Sequence, residues 1–382
     1  MPGERRSGWR PLTDLVARGL PELADPLATA LAETGRVDEL THGFHAYPAG
    51  LHAHAARQLL ALLPGDTLYD PFCGGGTSLV EGLVAGRQVF GRDLSPVAVL
   101  VARARTRLPD ADQLTAFRSA GRRIADAAKA SQVLPEGPER EVIERWYDEQ
   151  TARELEGLAR GIGEVEGPAR SLLWACFSSI LVKVSQRESE TSRRNVGGTR
   201  PRGSTAVLFH KKVRELGRRL VALGEAVPDG ARAWVQRGDA RAPVGRTVAA
   251  ALTSPPYPGV FDYLPLQELR RAWLGFDDDA ALRRELGSRR GFRADRRRAV
   301  SQWRDDTRAW MGAVAEALQP GGRLAVVIGD GLVGDRVIDT LQTSVAAGEA
   351  VGLRVLASAS GGRHDPGRDA VRHEHILLLE RP

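Results

Sequence analysis

Apolar positions in this chain form two kinds of run, one short and nearly continuous, the other longer with spacings of three and four. Their order predicts strands alternating with helices. Residues 11–40 read as short amphipathic helices punctuated by Pro11, Pro21 and Pro26. A loop then runs into a helix that ends before Pro64-Gly65-Asp66. TLYDPF (67–72) is a short strand leading into Gly74-Gly75-Gly76, and TSLVEGLVAG (77–86) continues as a helix. RQVFGRDLS (87–95) is a second strand closing on Asp93, and the next helix carries Pro96 in its first turn. Strand, glycine turn, helix, strand and acid, in that order, open a doubly wound α/β sheet.

From about 108 to 230 the strand signal fades and the periodicity becomes helical, so this stretch is expected to be a helical insertion. It contains the polar, basic, Gly-rich segment 185–205, read as a loop that either contacts the backbone of DNA or RNA or is a disordered surface loop. Strands resume at 231–241 and 247–257, and GRLAVVIGD (322–330) is another. LRVLASAS and HEHILLLERP form an expected antiparallel pair at the end. No internal repeat is visible. The division expected is an N-terminal helical segment 1–40, a first sheet portion 41–107, the helical insertion 108–230 and a second sheet portion 231–382.

Composition narrows the class. Of 382 residues, 42% are hydrophobic and 27% charged, as in soluble globular proteins. No apolar run is long enough for a membrane span, and the basic N-terminus has no apolar stretch after it. Cys73 and Cys176 fit neither a disulfide framework nor a metal motif, so a reducing cytoplasm is expected. His45, His52 and His54 lack Cys or His partners at ligand spacing; pocket or helix-face roles and no metal are expected.

Net charge is only +6, yet it is unevenly spread. Residues 183–220 hold eleven Lys/Arg against three Glu, a balance of +8. Residues 283–298 hold eight Arg against one Glu and one Asp, a balance of +6. Such clusters suit a phosphate-rich partner, with solvated helix faces as the plainer alternative. Trp146, Trp174 and Trp234 are expected in the core.

The segment Asp70-Pro71-Phe72-Cys73-Gly74-Gly75-Gly76-Thr77 sits where a parallel strand meets a helix. Glycines there let backbone approach a ligand. A phosphate loop would end in Gly-Lys-Ser/Thr, which is absent, and an acid ahead of the glycines repels a pyrophosphate. That acid suits a ligand bearing an ammonium group. Asp93, 23 positions after Asp70, stands where a carboxylate grips a ribose diol. Cys73 is expected to be a small packed side chain. Thr253-Ser254-Pro255-Pro256-Tyr257 follows an apolar run and so lies at a strand's C-terminal edge. Two prolines remove two N–H donors and leave carbonyls as acceptors, and an aromatic beside them offers a stacking face. An aryl amine needs that combination.

These residues resemble the S-adenosylmethionine-dependent amino-methyltransferases of DNA, which modify N4 of cytosine or N6 of adenine. DPFCGGGT (70–77) looks like their cofactor motif and SPPY (254–257) like their catalytic motif. FHAYPAG (44–50) is similar to the segment that folds over the methionine end of the cofactor, and GDAR (238–241) to an acidic turn near its adenine. The resemblance covers roughly 41–107 and 231–335. It implies a Rossmann-like methyltransferase sheet and S-adenosylmethionine as cofactor. It also implies cofactor contacts from Tyr47, Pro48, Asp70, Pro71, Phe72, Gly74, Gly76, Thr77, Asp93 and Asp239. Ser254 with the carbonyl of Pro255 would accept from the target amine, Pro256 would complete the motif, and Tyr257 would stack on the base. Ser in the first position favours cytosine N4 in DNA. N6 of adenine and an amine of RNA, such as N2 of guanine, are the alternatives, and no separate target-recognition domain is visible. A protein or small-molecule amide methyltransferase is disfavoured by the basic clusters. A catalytically idle nucleic-acid binder is disfavoured by the intact motifs. Phe261, Tyr263 and Trp273 either line a nucleic-acid groove or pack an amphipathic helix.

Overall fold

The structure, a computed structural model, describes residues 12–47, 50–187, 197–260, 262, 267–276, 283–333, 336–364 and 371–382. Pro48, Phe261, Tyr263 and part of the basic segment 185–205 lie outside the described residues.

Eight strands build one sheet: β1 (Thr13–Gly19), β2 (Thr67–Asp70), β3 (Gln88–Asp93), β4 (Ala233–Arg237), β5 (Val248–Thr253), β6 (Leu318–Gly329), and, after a small ribbon of β7 (Gly331–Val333) and β8 (Arg336–Ile338), β9 (Arg354–His364) and β10 (Val371–Glu380). Their order across the sheet is β1-β9-β10-β6-β5-β2-β3-β4. Strands β4, β3, β2, β5 and β6 are mutually parallel. β10 returns antiparallel between β6 and β9, as the two apolar runs at the end of the chain predict. This is a doubly wound, Rossmann-like α/β sheet with antiparallel C-terminal strands.

Side chains alternate across the strands and so feed two cores. Leu68, Ala250 and Leu378 face helices Pro21–Leu31, Ala53–Ala61 and Thr77–Val84. Tyr69, Ala251 and Leu377 face the helix Arg296–Ala317, with Trp310 and Met311 fully covered. Each such buried Leu contributes about 2 kcal/mol by removing apolar area from water.

Between β3 and β4 the chain makes the helices Pro96–Arg105, Ala111–Ala128, Arg140–Trp146, Glu149–Gly163, Pro168–Val184 and Ser204–Ala226. They enclose a third core around Phe117, Leu155, Phe177 and Phe209. Helices Ala111–Ala128 and Ser204–Ala226 touch closely at Gly121, where an added Cβ would stand 2.6 Å from Cγ1 of Val213. Val213 is short and branched and has no room to yield. Gly121→Ala is therefore expected to lower stability by about 1–2 kcal/mol, overpacking outweighing the better helix propensity. Thermal unfolding checks it; an unchanged or higher midpoint would show that the helices separate freely.

Two expectations need correction. Residues 13–19, expected to be helical, form the edge strand β1, paired antiparallel with β9. All seven residues of β1 are exposed, so no apolar alternation marks it, and backbone pairing makes the strand. Trp234, expected in the core, is 48% exposed, although Trp146 is buried. Residues 238–247, which join β4 to β5, form no helix, and Arg246 from this segment lays its guanidinium over the Phe90 ring at 4.0 Å. Trp234 stacks on Phe90 there, with ring centroids 5.0 Å apart.

Candidate active site

The chain leaves β2 toward β3 and β4 on one side and reaches β5 and β6 on the other, so β2 and β5 flank the point where strand order reverses. Open α/β sheets bind ligands outside the carboxyl ends of the strands at that point. A cleft open to solvent at its mouth lies there.

The glycine turn forms its floor. Gly74 and Gly76 have φ of +48° and +80°, conformations that side chains with a Cβ rarely adopt, and Gly76 begins the helix Thr77–Val84. The Tyr47 ring lies over this turn, with Cε1 3.4 Å from where a Cβ on Gly74 would stand. The segment before β2 thus folds over the glycines.

Asp93, at the end of β3, accepts from the amides of Gly74 (2.9 Å) and Ser95 (2.9 Å). Burial pushes its carboxyl up to about 6. Each oxygen accepts one of these amides, and a carboxylate has about four acceptor sites, so acceptor capacity remains toward the cleft. Asp70 is placed differently. Its buried carboxylate takes the Phe72 amide (3.0 Å) and the Thr253 hydroxyl (2.7 Å) on one oxygen and the Ser78 hydroxyl on the other. Burial raises this group to about 6 as well, against those hydrogen bonds. Thr253 ends β5 and immediately precedes Ser254, so one hydrogen bond joins two motifs 183 residues apart in sequence. Asp70 is thus a brace between the strands as well as part of the cleft wall.

Tyr47, Asp70, Pro71, Phe72 and Gly74 line the cleft, as do Thr77, Asp93, Asp239, Ser254 and Pro256. Gly76, Pro255 and Tyr257 do not. Gly76 sits one step below, where a Cβ would come within 3.1 Å of Ala102. Pro255 is buried, and the half-buried Tyr257 ring packs beside Gly329 at the end of β6. Asp239 faces the cleft with its carboxylate gripped by Arg241, Nε to Oδ1 at 2.9 Å and Nη2 to Oδ2 at 2.6 Å. Burial works to raise this carboxyl, but Arg241 outweighs it and holds it below its ordinary value. Cys73 is buried, with its thiol pushed well above its usual value by burial, as expected for a packed side chain.

Several residues of the site carry no motif. Gln267, 2% exposed, accepts from the Ser95 hydroxyl (2.7 Å) and donates to the Tyr47 hydroxyl (3.2 Å), tying β3 to the ring over the turn. The buried Arg105 donates to the Gly75 carbonyl (2.6 Å) and to Nδ1 of His42 (2.7 Å). Burial lowers its guanidinium to about 10. Burial also lowers His42, matching a neutral ring that accepts from Arg105 and donates through Nε2 to Glu81 at 2.7 Å. Glu285 and Leu286 close the far wall. Beside them Arg283, Arg284, Arg293, Arg297 and Arg298 are exposed, so the second basic cluster borders the cleft. Asp330 is spent elsewhere, accepting from Thr340 (3.1 Å) and His375 (3.2 Å). No helix among the described residues is long and apolar enough to cross a membrane.

Residues 44–130 match the family described as RMKL-like, methyltransferase domain. Over 164 residues, 38% of this chain, the sequence is 30% identical to the type II methyltransferase M.MvaI of Kocuria varians. The aligned stretch spans 35% of that relative, about a third of its length. Among solved structures, a S-adenosylmethionine-dependent methyltransferase from Methanosarcina mazei aligns with 88% of this chain and 98% of its own at 8% identity and a TM-score of 0.36. The rRNA methyltransferase aviRa of Streptomyces viridochromogenes aligns with 93% and 92% at 16% identity and a TM-score of 0.34. At such scores these two structures add nothing to the topology read from the strand order.

Proposed function

We propose, from the premise that this chain carries an S-adenosylmethionine-dependent methyltransferase domain, that it methylates an exocyclic amine of an extruded base, N4 of cytosine in DNA. The observation that carries this reading is the convergence of Ser254 and Pro256 with Asp93, Gly74 and Tyr47 on one cleft.

The residues fit the cofactor. Asp93 keeps acceptors for a ribose diol, and the bare backbone of Gly74 and Gly75 admits a ligand under Tyr47. Tyr47, Pro71, Phe72 and Thr77 would wall its methionine end, with Gly76 shaping the turn, and Asp239 would stand at its adenine. S-adenosylmethionine supplies a methyl group on a positively charged sulfur. The chain's part is to position and activate the amine. An arylamine is a poor nucleophile because its lone pair is delocalised into the ring. Ser254 Oγ and the Pro255 carbonyl, accepting from the two N–H bonds, favour a pyramidal nitrogen and free that lone pair. Holding donor and acceptor in line accounts for most of the remaining rate. Tyr257 flanks the base, and the arginines beside Glu285 meet the phosphate backbone. M.MvaI is a type II methyltransferase, which favours DNA over RNA here.

A pH test follows from Asp93. Its carboxyl is raised to about 6 by burial, so it grips the ribose as a carboxylate above that value and loses an acceptor on protonation below it. Cofactor affinity should be level above about pH 7 and fall up to tenfold per unit once pH drops below about 6. Titration calorimetry from about pH 5 to 8 on the wild type and Asp93→Asn reads this. A flat wild-type profile, or an unchanged step in the variant, would remove Asp93 from the cofactor site.

A further inference from the structure

We infer that Glu33, His52 and His54 form a binding site for a divalent transition metal ion, zinc foremost, behind the wall that carries Tyr47. The two histidines alone make no metal motif, but the fold adds a carboxylate from 19 positions earlier than His52. Glu33 lies just past the helix Pro21–Leu31, His52 immediately before the helix Ala53–Ala61, and His54 in that helix's first turn. One ligand atom from each lies within 4.8 Å of the others. Carboxylate Oε2 of Glu33 is 3.8 Å from Nδ1 of His54, and the two imidazole centroids are 5.4 Å apart, edge to face. Tetrahedral ligands around zinc stand about 3.3 Å apart, so small rotations of the side chains close the set. Two imidazoles and one carboxylate with a fourth position left to water match zinc's preferences better than those of calcium or magnesium.

The outer contacts point the same way. Metal-binding imidazoles and carboxylates are usually held from behind by a second hydrogen-bonding group. Gln58 Nε2 donates to Oε1 of Glu33 at 2.5 Å, leaving Oε2 toward His54. Glu39 Oε1 stands 3.4 Å from His54 Nε2, so the ring presents Nδ1 to the proposed ion. Glu33 and His54 therefore each have a supporting group behind them. The His54 and Glu33 side chains are 44% and 24% exposed, which lets an ion enter from solvent. His52 borders a hollow shared with Tyr47, Gly75 and Thr77, so a bound ion would fasten the segment that folds over the glycine turn.

The test uses the full chain, stripped with EDTA and titrated with zinc chloride by calorimetry, with cobalt(II) absorption as a second probe. One equivalent should bind, the melting temperature should rise with zinc, and cobalt should show the intense visible bands of a four-coordinate site. Glu33→Gln and His54→Ala should each weaken zinc about 100-fold or more, and Glu39→Gln about tenfold, with the melting of the metal-free forms unchanged. Glu33 and His54 are partly exposed, so neither change endangers folding. Absence of saturable one-to-one binding would overturn the site, and so would zinc affinity unaltered by Glu33→Gln and His54→Ala, which would leave a plain ion-pair cluster of His54 with two glutamates.

Discussion

Asp93→Ala is expected to weaken S-adenosylmethionine binding about 100-fold while the protein stays folded. In the proposed complex the carboxylate accepts from two ribose hydroxyls. Hydrogen bonds to a charged group contribute about 1.5–3 kcal/mol each. Losing two costs about 3 kcal/mol, and 1.4 kcal/mol is a factor of ten. The Gly74 and Ser95 amides that Asp93 now holds lie beside an open cleft, so water replaces the lost acceptor. Calorimetry with the cofactor, paired with thermal unfolding, separates the two effects. Affinity within about threefold of the wild type would show that the ribose is held elsewhere.

Ser254→Ala is expected to do the opposite, leaving cofactor affinity alone and lowering kcat by about 100- to 1000-fold, the range seen when one group that stabilises developing charge is removed. Ser254 lines the cleft at the end of β5, on the opposite side of the switch point from Asp93. The Pro255 carbonyl survives the substitution, so activity falls without vanishing. Ser254→Asn restores an acceptor at the same position and should recover part of the rate. Equal losses in alanine and asparagine variants would make Ser254 a packing residue. A matching loss of cofactor affinity would place it in the cofactor site instead.

Much of the site is legible because its pieces are local in sequence. A strand, a glycine turn and a helix N-terminus occupy 67–84 without interruption, and Asp93 ends the next strand. The partner of each acid is another matter. Spacing marks Asp70 as an acid beside a ligand, yet its hydrogen bonds to Ser78, Thr253 and the Phe72 amide are set by how β5 lies against β2. Gln267 and Arg105 are invisible for the same reason. Gln267 meets Ser95 across 172 residues and Tyr47 across 220, and nothing near it in the chain marks it. Arg105 reads as one more arginine on a helix until Gly75 and His42 are found against it. β1 escapes notice because an edge strand with every residue exposed has no apolar period.

The most direct measurement is to incubate the protein with methyl-labelled S-adenosylmethionine and, in separate reactions, duplex DNA, single-stranded DNA and total RNA, then digest to nucleosides and identify the product by mass spectrometry. N4-methylcytosine from DNA, formed about 100- to 1000-fold more slowly with Ser254→Ala, is the expected result. N6-methyladenine, or label in RNA alone, would contradict the cytosine assignment, and no label in any nucleic acid would contradict base methylation itself.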